Sequence, residues 1–159
     1  MLIQVIAVGK LKEPFYQAAQ EEYCKRLKGY TNLLVEEVPD EKLPLDGGVQ
    51  ALRKVRQREG QRLLKRLKPH GRCIALDPRG KMFSSEEFAS WLGDQINIGV
   101  NLISFLIGGT VGLPPFVLEK ADLVWSLSRL TFPHQLARVI LLEQLYRAFK
   151  ILRNEPYHY

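Results

Sequence analysis

A chain of 159 residues, 46% apolar and 25% charged, can bury one substantial core and has neither the polarity of a disordered chain nor the periodicity of a fibrous one. The net charge of +6 favours an anionic partner without demanding one. No apolar run approaches the roughly 18–20 residues of a membrane span, and Cys24 and Cys73 stand apart with no ligand spacing, which argues against a disulfide framework or metal site and for reduced thiols in a cytoplasmic protein.

Strands and helices alternate along the chain. Leu2 to Val8 reads as a strand ended by Gly9, not as a signal peptide, because MLIQVIAVGK has no basic leader. Pro14 suits a first helical position, and the helix continues to about Lys28, with Gly29 as its stop. Leu33 to Val38 is a second strand. The polar loop PDEKLPLDGG follows and is a natural lid or interaction loop. Val49 to Lys68 forms a long helix with Leu52, Val55, Leu63, Leu64 and Leu67 inward, locally weakened by Gly60. Arg72 to Asp77 is the third strand, and Asp77-Pro78-Arg79-Gly80 a turn. Ser84 and Glu87 have capping-box spacing, so a helix begins near Ser85 and ends around Gly99.

The stretch from Leu102 to Leu113 is the organising element. Leu102 to Ile107 is apolar or small at every position, as a strand covered on both faces should be. Gly108 and Gly109 then permit a tight turn or the close approach of a ligand. A short helix starts at Pro114, a fifth strand covers Leu123 to Leu127, and the last helix runs from Pro133 to about Arg153. Five strands alternating with helices predict an α/β fold with a mainly parallel sheet, in one domain spanning residues 1–159.

Charge is uneven. Arg53, Lys54, Arg56, Arg58, Arg62, Lys65, Arg66, Lys68 and Arg72 face a single acid, Glu59, within their stretch. A solvated helix face and a surface for RNA phosphates both fit this pattern; a one-signed face repels itself unless a polyanion meets it. No aromatic residues interleave the charges, so a base-stacking platform does not.

The second informative stretch is WSLSRLTFPHQLAR, from Trp125 to Arg138. In open α/β sheets ligands bind beyond the carboxyl ends of the strands. The ends of LIGG and WSLS, set side by side, would form an apolar slot suited to a flat heterocycle such as adenine. There is no GxGxxG and no P-loop, so a dinucleotide or triphosphate has no evident cradle.

LDPRGK (Leu76–Lys81), LIGGTVGL (Leu106–Leu113), WSLSRLTFPHQLARVILLEQLYRA (Trp125–Ala148) and the terminal PYHY, with AVGK and EGQRLL earlier, resemble the bacterial ribosomal RNA large subunit methyltransferase H family of the SPOUT superfamily. The motifs occur in order and cover essentially the whole chain. Generic topology rules predict an open, unknotted sheet. The resemblance implies instead a SPOUT-type α/β domain with a deep trefoil knot in its C-terminal half. It implies S-adenosyl-L-methionine as cofactor, held by residues matching Leu76, Gly108, Leu127, Ser128, Arg129, Leu130, Thr131 and Phe132. It also implies a homodimer packed through the last helices, and methylation at N3 of a pseudouridine in the helix 69 loop of 23S rRNA, on the assembled ribosome.

Methyl transfer of this kind needs no metal. The base must lose its N3 proton, so a general base or a stabilising cation is expected. The candidates are His134, Arg138, Tyr157 and His158. Arg138 lies one helical turn from His134 and is expected to point with it toward the cofactor loop. The family usually ends with a basic residue after Tyr-His; here Tyr159 takes that place. The stripe Leu136, Val139, Ile140, Glu143, Leu145 and Phe149 is the expected dimer face. Arg53, Arg56, Arg58, Arg62, Lys65 and Arg66 are the expected contacts to the ribosome. A basic ribosome- or nucleotide-binding module without catalysis is the alternative.

Overall fold

The computed structural model describes residues 1–159. In chain order the elements are β1 (Leu2–Val8), α1 (Pro14–Leu27), β2 (Asn32–Val38), α2 (Val49–Arg66), β3 (Arg72–Met82), α3 (Ser85–Asn97), β4 (Leu102–Ile107), α4 (Pro115–Lys120), β5 (Leu123–Ser126) and α5 (His134–Leu152). All strand pairs are parallel, in the order β2-β1-β4-β3-β5. The continuous apolar run of β4 is explained by its place: β1 and β3 flank it, and every one of its residues is buried.

Side-chain alternation sorts the core into two layers. Ile3, Val5, Ala7, Ile103, Phe105 and Ile107 face α1, α3 and α5. Ile6, Val8, Ala75 and Leu106 face α2 and α4. The Ser84–Glu87 capping box forms, with Glu87 N–H donating to Ser84 Oγ and Ser84 N–H to Glu87. Gly60 is not merely a weak point of α2. A Cβ there would meet Pro114 Cδ at 2.8 Å, so the missing side chain lets α2 press against the start of α4.

β3 is longer than its sequence pattern suggests. The Asp77–Gly80 turn is a bulge inside the strand, and pairing with β5 resumes at Lys81 and Met82. Gly80 is required by close approach: a Cβ would lie 2.6 Å from the Val124 carbonyl carbon. α5 is buried on its inner face by α1 and α3. Leu145 and Phe149 belong to that core, so they cannot form the outer dimer stripe; Leu136, Val139, Ile140 and Glu143 remain half-buried on the helix surface.

Gln4 is the one polar side chain with no exposed surface at all. Gln4 Nε2 donates to Glu36 at 2.6 Å and to the Arg66 carbonyl at 2.8 Å. Its Oε1 accepts from the Ser104 hydroxyl at 2.7 Å and the Lys68 N–H at 3.3 Å. This side chain ties β1, β2 and β4 to the end of α2. Gln4→Leu keeps the volume but strands four partners. It should lower stability by on the order of 3 kcal/mol, read as a lower urea midpoint at unchanged slope.

Candidate active site at the strand ends

Beyond Ile107 the chain folds back on itself. Gly112 N–H donates to the Gly109 carbonyl at 3.0 Å, and Gly112 holds φ of +78°. A Cβ on Gly108 would stand 2.9 Å from the Gly112 carbonyl carbon. The turn's own backbone therefore demands glycine at 108, independently of any ligand.

This turn forms one wall of a cavity of about 210 Å³. Leu76, Asp77 and Pro78 from the β3 bulge form a second wall, the 125–132 segment a third, and His134 and Ala137 of α5 close it. Trp125 anchors the third wall, its ring stacked on Phe88 at 4.3 Å. Beyond it, the Ser126 hydroxyl donates to the Ser128 carbonyl and Leu130 N–H donates to Ser128 Oγ, both at 2.9 Å, so two short turns fix the loop. Asp77 is buried and accepts bonds from Arg79 N–H and Nε at 2.9 Å. Burial pushes its carboxyl up, but the bonds from Arg79 outweigh this and hold it below the ordinary aspartate range.

Leu76, Gly108, Leu127, Ser128, Leu130, Thr131 and Phe132 all line the cavity, as does His134. Arg129 does not; it is exposed. Asp77, Thr110, Trp125 and Ser126 also line the cavity and are absent from the residues expected to hold a cofactor. The LDPRGK and WSLS motifs that contain three of them were the available signal.

Over residues 1–158 the chain matches the sequence profile of a family described as predicted SPOUT methyltransferase. The chain belongs to the SPOUT methyltransferase family. It is 53% identical over 157 residues to the ribosomal RNA large subunit methyltransferase H of Pelotomaculum thermopropionicum, covering 99% of this chain and 98% of that one. The protein of the same name from Carboxydothermus hydrogenoformans is 48% identical over 158 residues, with 99% of each chain covered. A solved structure of a probable methylase family protein from Haemophilus influenzae Rd KW20 shares the fold, with a TM-score of 0.55 at 12% identity, over 99% of this chain and 70% of that chain.

In this SPOUT chain the four acid–base candidates separate. His134 borders the cavity. Burial lowers its pKa, the charges of Arg138 and Lys12 lower it further, and Asp40 raises it. The net direction is downward, so the imidazole is neutral near pH 7 and can accept a proton. Arg138 does not point into the cavity as its spacing suggested. Its side chain is 1% exposed, and it donates to Glu37 at 2.6 Å and to the Gly9 carbonyl at 2.8 Å. A long side chain rooted on the right helix face has reached past it to the ends of β1 and β2.

Tyr157 and His158 are also outside the cavity of their own chain. The Tyr157 hydroxyl donates to Glu143 at 3.1 Å, its ring lies edge-on to Tyr146 at 4.8 Å, and burial followed by the Glu143 charge pushes its phenol up to about 12. The His158 ring sits between Arg147 at 3.0 Å and Glu86 at 2.7 Å. The tail is thus tied down against α3 and α5 of its own chain.

The basic helix is less one-signed than its sequence. Arg62 pairs with Glu41, Arg58 lies 4.0 Å from Glu41, and Arg66 lies 3.9 Å from Glu36. Arg56 donates to the Val111 carbonyl at 2.9 Å. Arg53, Lys54 and Lys65 are exposed and form no ion pair. No helix is long and apolar enough to cross a membrane, and no cluster of His, Cys, Asp or Glu could hold a metal ion.

The His134 electrostatics are testable by NMR. Its titration midpoint should fall below the 6.5 of a free imidazole. A depressed histidine pKa contributes stability above the unfolded value and loses it as pH falls through the folded one. Asp40→Asn, which removes the one favourable charge, should depress the midpoint further.

Proposed function

We propose that this chain is an S-adenosyl-L-methionine-dependent methyltransferase acting at N3 of a pseudouridine in the helix 69 loop of 23S rRNA, on assembled ribosomes in the cytoplasm. The names of its relatives supply the substrate class. The observation that carries the cofactor is the charge of the cavity. Its lining includes Asp77, held ionised, a neutral His134 and no lysine or arginine. A polyphosphate cofactor would meet no cation on these walls, and the one carboxylate, Asp77, is already paired with Arg79, so the cavity suits a ligand that carries no phosphate charge. Ile107, Leu76, Leu127 and Leu130 offer apolar walls for an adenine, and Thr110, Ser128 and Thr131 offer hydroxyls for polar substituents.

The bound cofactor would supply an electrophilic methyl group for in-line displacement. The chain's own part is then to hold both reactants in line and to manage one proton. His134, neutral at the cavity edge, is placed to accept it. This reading includes the trefoil knot, which membership of the SPOUT family supports, and a homodimer through the outer face of α5.

Because Tyr157 and His158 do not reach their own chain's cavity, the tail is read as serving the partner's site. Removing Pro156 to Tyr159 should leave fold, dimer and cofactor affinity nearly intact while slowing transfer by at least about 10²-fold. Gly108→Val forces a side chain into the Gly112 backbone and should abolish cofactor binding. A mixed dimer of a tailless subunit and a Gly108→Val subunit separates the possibilities. It stays active if the intact tail works across the interface and is dead if each tail serves its own site. A fully active tailless homodimer would count against both.

Ribosome contact is assigned to the unpaired cations of α2. Replacing Arg53, Lys54 and Lys65 by Gln should weaken ribosome binding and flatten its salt dependence, with cofactor affinity unchanged. An unaltered salt slope would return these residues to an ordinary solvated face.

A further inference from the structure

The inner edge of α2 lies along the glycine turn from outside the cavity. Arg56 Nε donates to the Val111 carbonyl at 2.9 Å. One turn later, Glu59 is 3% exposed and backs onto Gly109. A Cβ built on Gly109 would sit 3.2 Å from Glu59 Oε1 and 3.0 Å from Val8 Cγ1. The next residue, Gly60, gives way to Pro114. Residues 56, 59 and 60 therefore meet residues 111, 109 and 114 along one edge of α2.

Glu59 also reaches the loop after β2. Its Oε2 accepts the Glu41 N–H at 3.0 Å, while Arg62 donates to the Pro39 carbonyl at 2.9 Å and pairs with Glu41. Its Oε1 is buried with no partner. Burial first, and then the Asp40 and Glu41 charges, push this carboxyl up, against the Glu41 N–H and Arg62. A carboxyl held at such a cost under a turn of small residues calls for a reason.

We propose that Arg56 and Glu59 are positioning residues that brace the 108–112 turn from behind, so that its backbone keeps the shape the cofactor requires. The turn cannot be braced from within, because that side is the cavity. Its three glycines give it little rigidity of its own. Arg56 pins the Val111 carbonyl, and Glu59 is the floor under Gly109. A displacement of about 1 Å at such a wall is enough to cost binding and rate. This role rests on the reading of the cavity as a cofactor site, and it separates Arg56 from the cations facing solvent.

The test uses the 159-residue chain and S-adenosylhomocysteine, with titration calorimetry and amide hydrogen exchange as readouts. Arg56→Leu and Glu59→Ala should each weaken binding by about 10-fold or more. In the unliganded protein they should speed exchange at 108–112 while leaving β1 and β4 protected. Arg56→Lys and Glu59→Gln keep a donor to Val111 and an acceptor for Glu41, and should restore most of both. Arg53→Leu, on the exposed side, should change neither. Arg56 is only half-buried, so its variants report even if Glu59→Ala fails to fold. Unchanged exchange at 108–112 in Arg56→Leu, or no rescue by Arg56→Lys, overturns the proposal. If the wild-type protein binds no S-adenosylhomocysteine, the cofactor reading fails, and exchange alone decides the brace.

Discussion

The position of the cavity depends on a strand that has nowhere to go. β4 is hydrogen-bonded to β1 on one side and β3 on the other, and both faces are buried. Where it ends, Gly108 and the backbone of Gly112 occupy space that a single Cβ would need. A parallel sheet brings the carboxyl ends of all its strands to one edge. Residues 76–78, 107–112, 125–132 and 134–137, remote in sequence, meet there because β3 and β5 pair beside this fixed point.

Much of this was legible in the sequence because the signals were local. The apolar run of β4, the capping box at Ser84 and the prolines at helix starts report on their own neighbourhoods. Residues 106–113 and 125–132 were recognisable as forming a slot for the same reason: each is a strand end running into a turn. The bulge in β3 was not legible, since Pro78 and Gly80 look like a terminator. What keeps the strand going is Gly80 pressed onto the β5 backbone, a contact between residues more than forty positions apart.

The same limit explains the basic helix. Counting charges along residues 53–72 finds one acid, but Glu36 and Glu41 arrive from β2 and its following loop. They turn part of a one-signed face into mixed ion pairs. Half-exposed pairs of this kind add little stability. Their consequence is geometric: they hold Arg62 against the β2 loop and give the exposed Arg58 and Arg66 an acid neighbour, and they leave Arg53, Lys54 and Lys65 without one. A local charge count measures supply, and the fold determines how much of it stays available.

Arg138 shows why separation of charge matters at the site itself. A guanidinium buried to 1% exposure is costly unless paired, and Glu37 and the Gly9 carbonyl provide the pairing while its Nε has none. It fastens the start of α5 to the ends of β1 and β2, beside His134. Its charge disfavours the imidazolium, as burial does more strongly, so His134 stays neutral. The residue that spacing aimed at the cavity instead lies one step back from it. It keeps positive charge near the cavity without putting any into it, because its guanidinium is turned to Glu37 and the Gly9 carbonyl and not to the lining.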